Sequence, residues 1–138
     1  MSKEVKLGES ASLTRSFSEQ DVQLYADLSG DHNPVHLDAD FAAATQFGQR
    51  IVHGMLVGSL FTALLGEELP GRGSIYMTQN LTFKAPVYLD QVVTAKVEVT
   101  AIHEKRPIVT LATTVVDQDG KTLVQGEAIM YVPWLKKD

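Results

Sequence analysis

The chain has 138 residues, a size typical of one domain, and its 44% hydrophobic and 21% charged residues exclude a disordered chain. It contains no cysteine, which excludes disulfides, thiolate metal sites and a cysteine nucleophile. The formal net charge is −5 without a basic block, a pattern that argues against nucleic-acid binding. We therefore expect a single domain over residues 1–138 with no nucleic-acid partner.

The first predicted elements are a strand and a helix. Larger residues at positions 11, 13, 15 and 17 alternate with Ser and Thr, which is typical of a half-buried strand. Ser18 followed three residues later by Asp21 forms a capping-box pattern. It predicts a helix that begins there and ends at Ser29-Gly30.

Residues 30–50 are predicted to be irregular. Pro34 disfavours a helical conformation at Asn33, whereas Asp38 begins a pattern typical of a short helix over residues 41–44. Most connections between elements have about 4–6 residues. A segment this long is uncommon and is often functional.

Residues 54–66 are the longest apolar stretch and contain no charged side chain. These 13 residues are fewer than the roughly 18 that suggest a membrane span, so no membrane partner is expected. A helix that is hydrophobic on every side is surrounded by protein. We predict a helix over residues 53–69, buried on all sides and stopped by Pro70-Gly71. The polar start of the chain lacks a signal segment and predicts a cytoplasmic protein.

The remaining sequence predicts four long antiparallel strands. Residues typical of strands recur over 74–87, 91–103, 107–118 and 121–134, and Asp119-Gly120 predicts a hairpin turn. Strands that follow one buried helix indicate an α+β domain in which the sheet curls around the helix. Such a sheet leaves one edge and one face uncovered, and a symmetric dimer would cover both.

The densest polar cluster lies in the irregular segment, where residues 25–36 read Tyr-Ala-Asp-Leu-Ser-Gly-Asp-His-Asn-Pro-Val-His. Together with Ala42, this run resembles the signature of the hydratase 2 family, the MaoC-like (R)-specific enoyl-CoA hydratases. The similarity continues at residues 51–56, 73–76 and 83–87. It implies a hot-dog fold, which is a curled antiparallel sheet around a central buried helix with an overhanging loop and helix segment. It also implies a homodimer.

The resemblance assigns a catalytic dyad to Asp31 and His36, which would hold the water that adds to a trans-2-enoyl-CoA. Addition to one side of the alkene would give (R)-3-hydroxyacyl-CoA. A histidine with an ordinary pKa of about 6.5 suits acid–base chemistry near neutrality, and a nearby carboxylate is expected to raise that pKa. Without the surrounding motif, Asp31 and His36 would each be interpreted as an ordinary structural residue of a loop. Asn33 is expected to support the loop, because Asn side chains bond nearby backbone groups.

Gly54 opens the apolar helix, where unpaired N–H groups and the helix dipole favour negative charge. The resemblance implies that the Gly54 N–H stabilises the enolate oxygen that forms on the thioester. Close packing of the helix on the sheet is the alternative role. His53 is expected to cap the helix or to be structural.

The resemblance also implies an acyl tunnel. Thr62 would line it, Leu65 and Met130 would limit the acyl length, and Ser59 would have a supporting role. Plain core packing is the alternative for all four residues, since they lie in apolar surroundings in the sequence.

No metal and no cofactor are expected, because coenzyme A is part of the acyl-CoA thioester substrate. His32 and His36 have the i, i+4 spacing of a helical metal pair, but Pro34 between them argues against that helix. The coenzyme A phosphates need local cations. The candidates, without assignment, are Lys84, Arg72, Arg50 and Lys105-Arg106.

Three functions are compatible with the sequence. The first is a hydratase, which could supply polyhydroxyalkanoate monomers from β-oxidation, a role implied by the family alone. The second is a hot-dog acyl-CoA thioesterase, in which water attacks the carbonyl carbon. The third is a non-catalytic acyl-CoA-binding module. The Asp-x-Asn-Pro-x-His loop favours the hydratase.

Overall fold

The computed structural model describes residues 4–135. Its elements in chain order are β1 (Ser10–Arg15), α1 (Glu19–Ser29), α2 (Pro34–Leu37), α3 (Ala39–Ala43), α4 (Gly54–Glu67), β2 (Ile75–Phe83), β3 (Val93–Ile102), β4 (Ile108–Val116) and β5 (Thr122–Tyr131). All the predicted strands and helices are present, and the capping box of α1 forms between Ser18 and Asp21.

The helix α2 contradicts the expectation of irregular chain after Asn33. Pro34 is the first residue of this helix, where the N–H that proline lacks would have no helical partner. The Asn33 side chain accepts a hydrogen bond from the Val35 N–H and caps the helix. The proline therefore starts a helix here instead of preventing one.

The five strands form one antiparallel sheet in the order β1-β3-β4-β5-β2. Irregular pairing between Tyr76 and Thr78 and between Val99 and Ala101 marks bulges, which bend strands. The helix α4 packs against β1, β2 and β3. This confirms an α+β architecture in which the sheet curls around a central helix.

The core lies between α4 and the inner face of the sheet. The helix contributes Leu60, Phe61, Leu64 and Leu65, all buried, and alternate residues of β3 and β4 face them. Across residues 4–135, no helix combines the length and the hydrophobicity of a membrane span.

The prediction that α4 is buried on all sides is wrong for the single chain. Met55 is 61% exposed, and Thr62 and Ala63 are also exposed. With half-buried Ser59 they form a row on one side of the helix, called the open stripe below. A five-stranded sheet covers only part of the helix circumference, which leaves this side uncovered.

The segment between α1 and α4 lies over the start of α4, and one arginine fastens it. The Arg50 Nε donates to the His36 carbonyl at 2.8 Å, and its Nη1 donates to the Glu19 carboxylate at 2.8 Å. The Val52 N–H donates to the Val87 carbonyl at 2.7 Å, which ties the segment to the chain after β2. The overhang predicted by the family resemblance is thus bonded to both α1 and the sheet side.

Candidate active site

A cavity of about 560 Å³ lies beneath this overhang. Its size falls within the range of small-molecule sites. The residues that line it are Tyr25, Asp31, His36, Gln46, Phe47, Ile51, Val52, His53, Gly54, Met55, Val57, Phe83, Lys84, Ala85, Pro86, Val87 and Val124. Asp31, His36 and Gly54, which the sequence singles out, therefore share one cavity.

Asp31 follows directly after α1. Gly30 ends that helix with a φ of 85°, a conformation that glycine adopts readily, and turns the chain toward the cavity. One carboxylate oxygen of Asp31 accepts the Asn33 N–H at 3.1 Å. The other, Oδ2, lies 4.0 Å from His36 Nε2. The backbone bond therefore fixes the carboxylate while one oxygen faces the histidine.

His36 is carried by α2 and is only 8% exposed. Its Nδ1 lies 2.8 Å from the Ile51 carbonyl oxygen. A carbonyl can only accept a hydrogen bond, so Nδ1 carries the hydrogen. In the neutral ring, Nε2 then holds a free lone pair that faces Asp31 and the cavity. This is the tautomer that a general base needs.

Burial lowers the pKa of His36 below its ordinary value, and the neighbouring His53 also lowers it. The Ile51 carbonyl and the Asp31 carboxylate raise it, by less. The carboxylate therefore acts in the expected direction, but the net pKa of His36 is lowered because burial has the larger effect. The ring is largely buried, and desolvation outweighs the effect of an aspartate 4.0 Å away.

His53, expected from the sequence to cap α4 or to be structural, is 2% exposed and contacts both dyad residues. Its Nε2 lies 3.0 Å from the main-chain carbonyl oxygen of Asp31. Its ring stacks on His36 with centroids 3.9 Å apart, and Tyr25 packs against it edge-on at 4.8 Å. Its side chain forms no cap hydrogen bond to α4. Nothing in the sequence around His53, nor its distance along the chain from Asp31 and His36, indicates these contacts.

Asp31, His36 and His53 each offer a ligand atom, and these atoms lie within 4.8 Å of one another. The two imidazole rings are stacked, with only 24° between their planes. Lone pairs lie in the ring planes, so those of stacked rings run side by side and do not converge on one ion. His32 is separate, since its Nε2 pairs with Asp27 at 3.0 Å on the exposed side of the segment. A metal-free site stays our prediction, and the stacking supports it.

Gly54 is the first residue of α4 and lines the cavity, so its N–H has no acceptor within its own helix. A Cβ at this position would lie 2.8 Å from Cε1 of Phe83. Both roles considered for Gly54, an anion-binding N–H and close packing, are compatible with this position.

The four residues assigned to the acyl tunnel do not line this cavity. Thr62 is exposed and its hydroxyl donates to the Ser59 carbonyl at 2.7 Å, while the Ser59 hydroxyl donates to the Leu56 carbonyl. Leu65 and Met130 are buried in the core. Their tunnel role stays a prediction.

The candidate cations differ in their surroundings. Lys84 lines the cavity, whereas Arg50 is engaged within the overhang and exposed Arg72 pairs with Glu67. The Lys105-Arg106 pair lies in the turn between β3 and β4. Among these candidates, position favours Lys84 for a ligand in the cavity.

Comparisons with known proteins agree with this geometry. The family described as MaoC like domain matches residues 2–120. The (R)-specific enoyl-CoA hydratase of Aeromonas caviae is 50% identical over 129 residues, covering 94% of this chain and 96% of that protein. The enzyme of the same name from Rhodospirillum rubrum is 46% identical, covering 94% and 90%. The solved structure of the (R)-hydratase from A. caviae involved in PHA biosynthesis superposes with a TM-score of 0.91 at 50% identity, over 94% of this chain and 98% of that one.

Proposed function

The chain belongs to the MaoC like domain family, and from this membership we propose that it is an (R)-specific enoyl-CoA hydratase, a hydro-lyase that reversibly adds water to trans-2-enoyl-CoA. The hot-dog fold is shared with the A. caviae structure. The observation that carries the proposal within the site is the pair Asp31 Oδ2 and His36 Nε2, 4.0 Å apart in a substrate-sized cavity.

The dyad activates one water. The separation of 4.0 Å is too long for a direct hydrogen bond and suits a molecule held by both groups. Asp31 orients the water as an acceptor, and the free lone pair of His36 Nε2 takes a proton as the water oxygen bonds to Cβ. Neutral His36 is the competent base, which agrees with its lowered pKa.

As the C–O bond forms, electrons of the double bond move to the thioester carbonyl and give an enolate. The Gly54 N–H, at the positive end of α4, stabilises the enolate oxygen. The proton held by His36 returns to Cα as the carbonyl re-forms. Because the hydroxyl and the proton both come from the water held by the dyad, they add to the same face of the alkene and the addition is syn. The relatives named (R)-specific support attack on the face that yields the (R)-3-hydroxyacyl product.

The substrate is an acyl-CoA thioester, and no cofactor beyond its own coenzyme A takes part. Lys84 at the cavity supplies a charge for a coenzyme A phosphate. The (R)-3-hydroxyacyl-CoA product has the chemistry of a polyhydroxyalkanoate monomer, and the A. caviae neighbour is described as involved in PHA biosynthesis. Supply of such monomers is therefore part of the proposal.

The decisive assay follows enoyl-thioester absorbance and free thiol together. Loss of absorbance without thiol supports the hydratase, and chiral analysis is expected to give the (R) product. Release of thiol would favour the thioesterase, which uses the same groups against the carbonyl carbon. Binding without turnover would favour the acyl-CoA-binding module. An (S) product would contradict the stereochemical part of the proposal.

The proposal includes a homodimer. The open stripe of α4 leaves apolar Met55 uncovered, and β2, at the edge of the sheet, exposes more than half of Ile75 and Met77. Unpaired strand edges and exposed apolar patches are features that a second copy covers.

A further inference from the structure

We propose that His53 is a positioning residue that holds Asp31 and His36 in their relative orientation. This rests on the proposed function, because it concerns the dyad of the same reaction. His53 lies immediately before Gly54, so one residue joins the two dyad positions to the start of α4.

The first contact fixes the main chain of Asp31. The His53 Nε2 is 3.0 Å from the Asp31 carbonyl oxygen, so Nε2 carries the hydrogen and donates it. This bond spans 22 positions of the sequence and crosses from the end of α1 to the start of α4. This bond fixes the main-chain carbonyl of Asp31, while the Asn33 N–H fixes its carboxylate.

The second contact fixes the ring of His36. Stacking on His53 limits tilting of the His36 ring, and the hydrogen bond to the Ile51 carbonyl fixes the direction in which its Nδ1 points. Burial of His53 is otherwise unfavourable, since its Nδ1 has no hydrogen-bond partner within the described residues. An apolar side chain would fill the same space without that penalty, which favours a role for the Nε2 contact.

The electrostatic surroundings of His36 give a second readout. Asp31 comes from the end of α1, His53 from the start of α4, Tyr25 packs on His53, and Lys84 lines the cavity from the end of β2. Arg50 binds the His36 carbonyl. Within this set His53 lowers the pKa of His36, so its removal should raise that pKa.

Two variants separate the contacts. His53→Phe keeps a ring for stacking but cannot donate to Asp31, whereas His53→Gln can place an amide N–H near the Nε2 position without a ring. We expect His53→Phe to lower kcat by about 10- to 100-fold with little change in KM, and His53→Gln to retain more of kcat. His103→Gln, at an exposed position after β3, is the matched control and should behave as wild type.

Ring ¹⁵N NMR of the ligand-free protein tests the inference without turnover. In wild type, the neutral His53 ring is expected as the Nε2–H tautomer, and in His53→Gln the pKa of His36 is expected to rise. An Nδ1–H tautomer in wild type overturns the inference even where a variant fails to fold. A wild-type kcat in His53→Phe also overturns the inference. So does an equal loss of kcat in both variants when the pKa of His36 is unchanged. A wild-type protein that hydrates no enoyl-CoA, with NMR results as expected, counts against the proposed function alone.

Discussion

Asp31 and His36 are each oriented by main-chain groups and not by one another. The Asn33 N–H holds the carboxylate, and the Ile51 carbonyl holds the imidazole. The functional atoms, Asp31 Oδ2 and His36 Nε2, thereby face one another 4.0 Å apart. Preorganisation of this kind lowers the reorganisation that the reaction would otherwise require.

Substitution of either dyad residue should abolish most of the activity. We expect Asp31→Asn and His36→Gln each to lower kcat/KM by about 100-fold or more, since the first removes the carboxylate that orients the water and the second removes the base. Circular dichroism and thermal melts should show a folded protein in both. Asp27→Asn and His32→Gln change an exposed pair nearby and serve as controls that retain activity. Near-normal turnover in both dyad variants would contradict the assignment.

The pH dependence of kcat/KM should report His36. The base form exists above its pKa, and that pKa lies below the ordinary value of about 6.5. We therefore expect kcat/KM to fall as the pH drops through the lowered pKa of His36, so the midpoint of the acid limb should lie below about pH 6.5. His32→Gln should not move this acid limb, although the Asp27 hydrogen bond raises the pKa of His32. A limb with its midpoint above about pH 6.5 would contradict a lowered pKa of His36.

At the scale of elements, two short helices in the overhang provide a matched comparison. Asn33 caps α2, which carries His36, and Asp38 caps α3, which carries no dyad residue. Asn33→Ala and Asp38→Ala should each lower the free energy of unfolding by about 1 kcal/mol. Only Asn33→Ala should also lower kcat, by about tenfold, because α2 then positions His36 less well. Urea unfolding and steady-state kinetics measure both effects, and equal kcat losses would contradict this view.

Two glycines of α4 distinguish packing at the site from packing in the core. A Cβ at position 54 would lie 2.8 Å from Phe83, which lines the cavity, whereas one at position 58 would lie 3.1 Å from Leu81, which does not. Gly54→Ala should displace the Phe83 ring and lower kcat/KM by about 10- to 100-fold. Gly58→Ala should leave kcat/KM within about threefold of wild type. Thermal melts of both check that any loss is local, and unchanged kinetics in Gly54→Ala would contradict the expected displacement.

The elements themselves could be predicted because their signals are local. Alternation along β1, the capping box of α1 and the uncharged run of α4 depend on neighbouring residues. The helix α2 was missed because proline has opposite effects inside a helix and at its first position. The open stripe was missed because coverage of α4 depends on the width of a sheet formed later in the chain.

At the scale of the whole molecule, the exposed stripe and the β2 edge predict a dimer in solution. Analytical ultracentrifugation of wild type should give twice the mass of one chain. Ala63→Glu places a charge on the open stripe and should yield monomers, because burying an unpaired charge is unfavourable. Ala101→Glu, on exposed β3 surface, is the control and should remain dimeric. A monomeric wild type at micromolar concentration would contradict the homodimer.

The site was predictable where one stretch of sequence carries it and not where distant segments meet. Asp31, Asn33 and His36 lie within six residues of one another in a recognisable motif. In the structure Asp31 and His36 line one cavity, and Asn33 caps the helix that carries His36. The contact of His53 with Asp31 and the bond from Arg50 to His36 join positions 22 and 14 residues apart. Such contacts depend on the final path of the chain, which no local pattern encodes.

Because main-chain groups orient the dyad, many side chains around it can be replaced without disturbing it. A backbone N–H or carbonyl is supplied by whatever amino acid occupies the position, proline aside for the N–H, so replacing Ile51 by another side chain keeps the acceptor for His36. The cavity wall at Gln46 and Phe47 is free of these anchoring bonds and can be randomised without retuning the acid–base pair. Libraries at those two positions are the natural starting point for engineering substrate range.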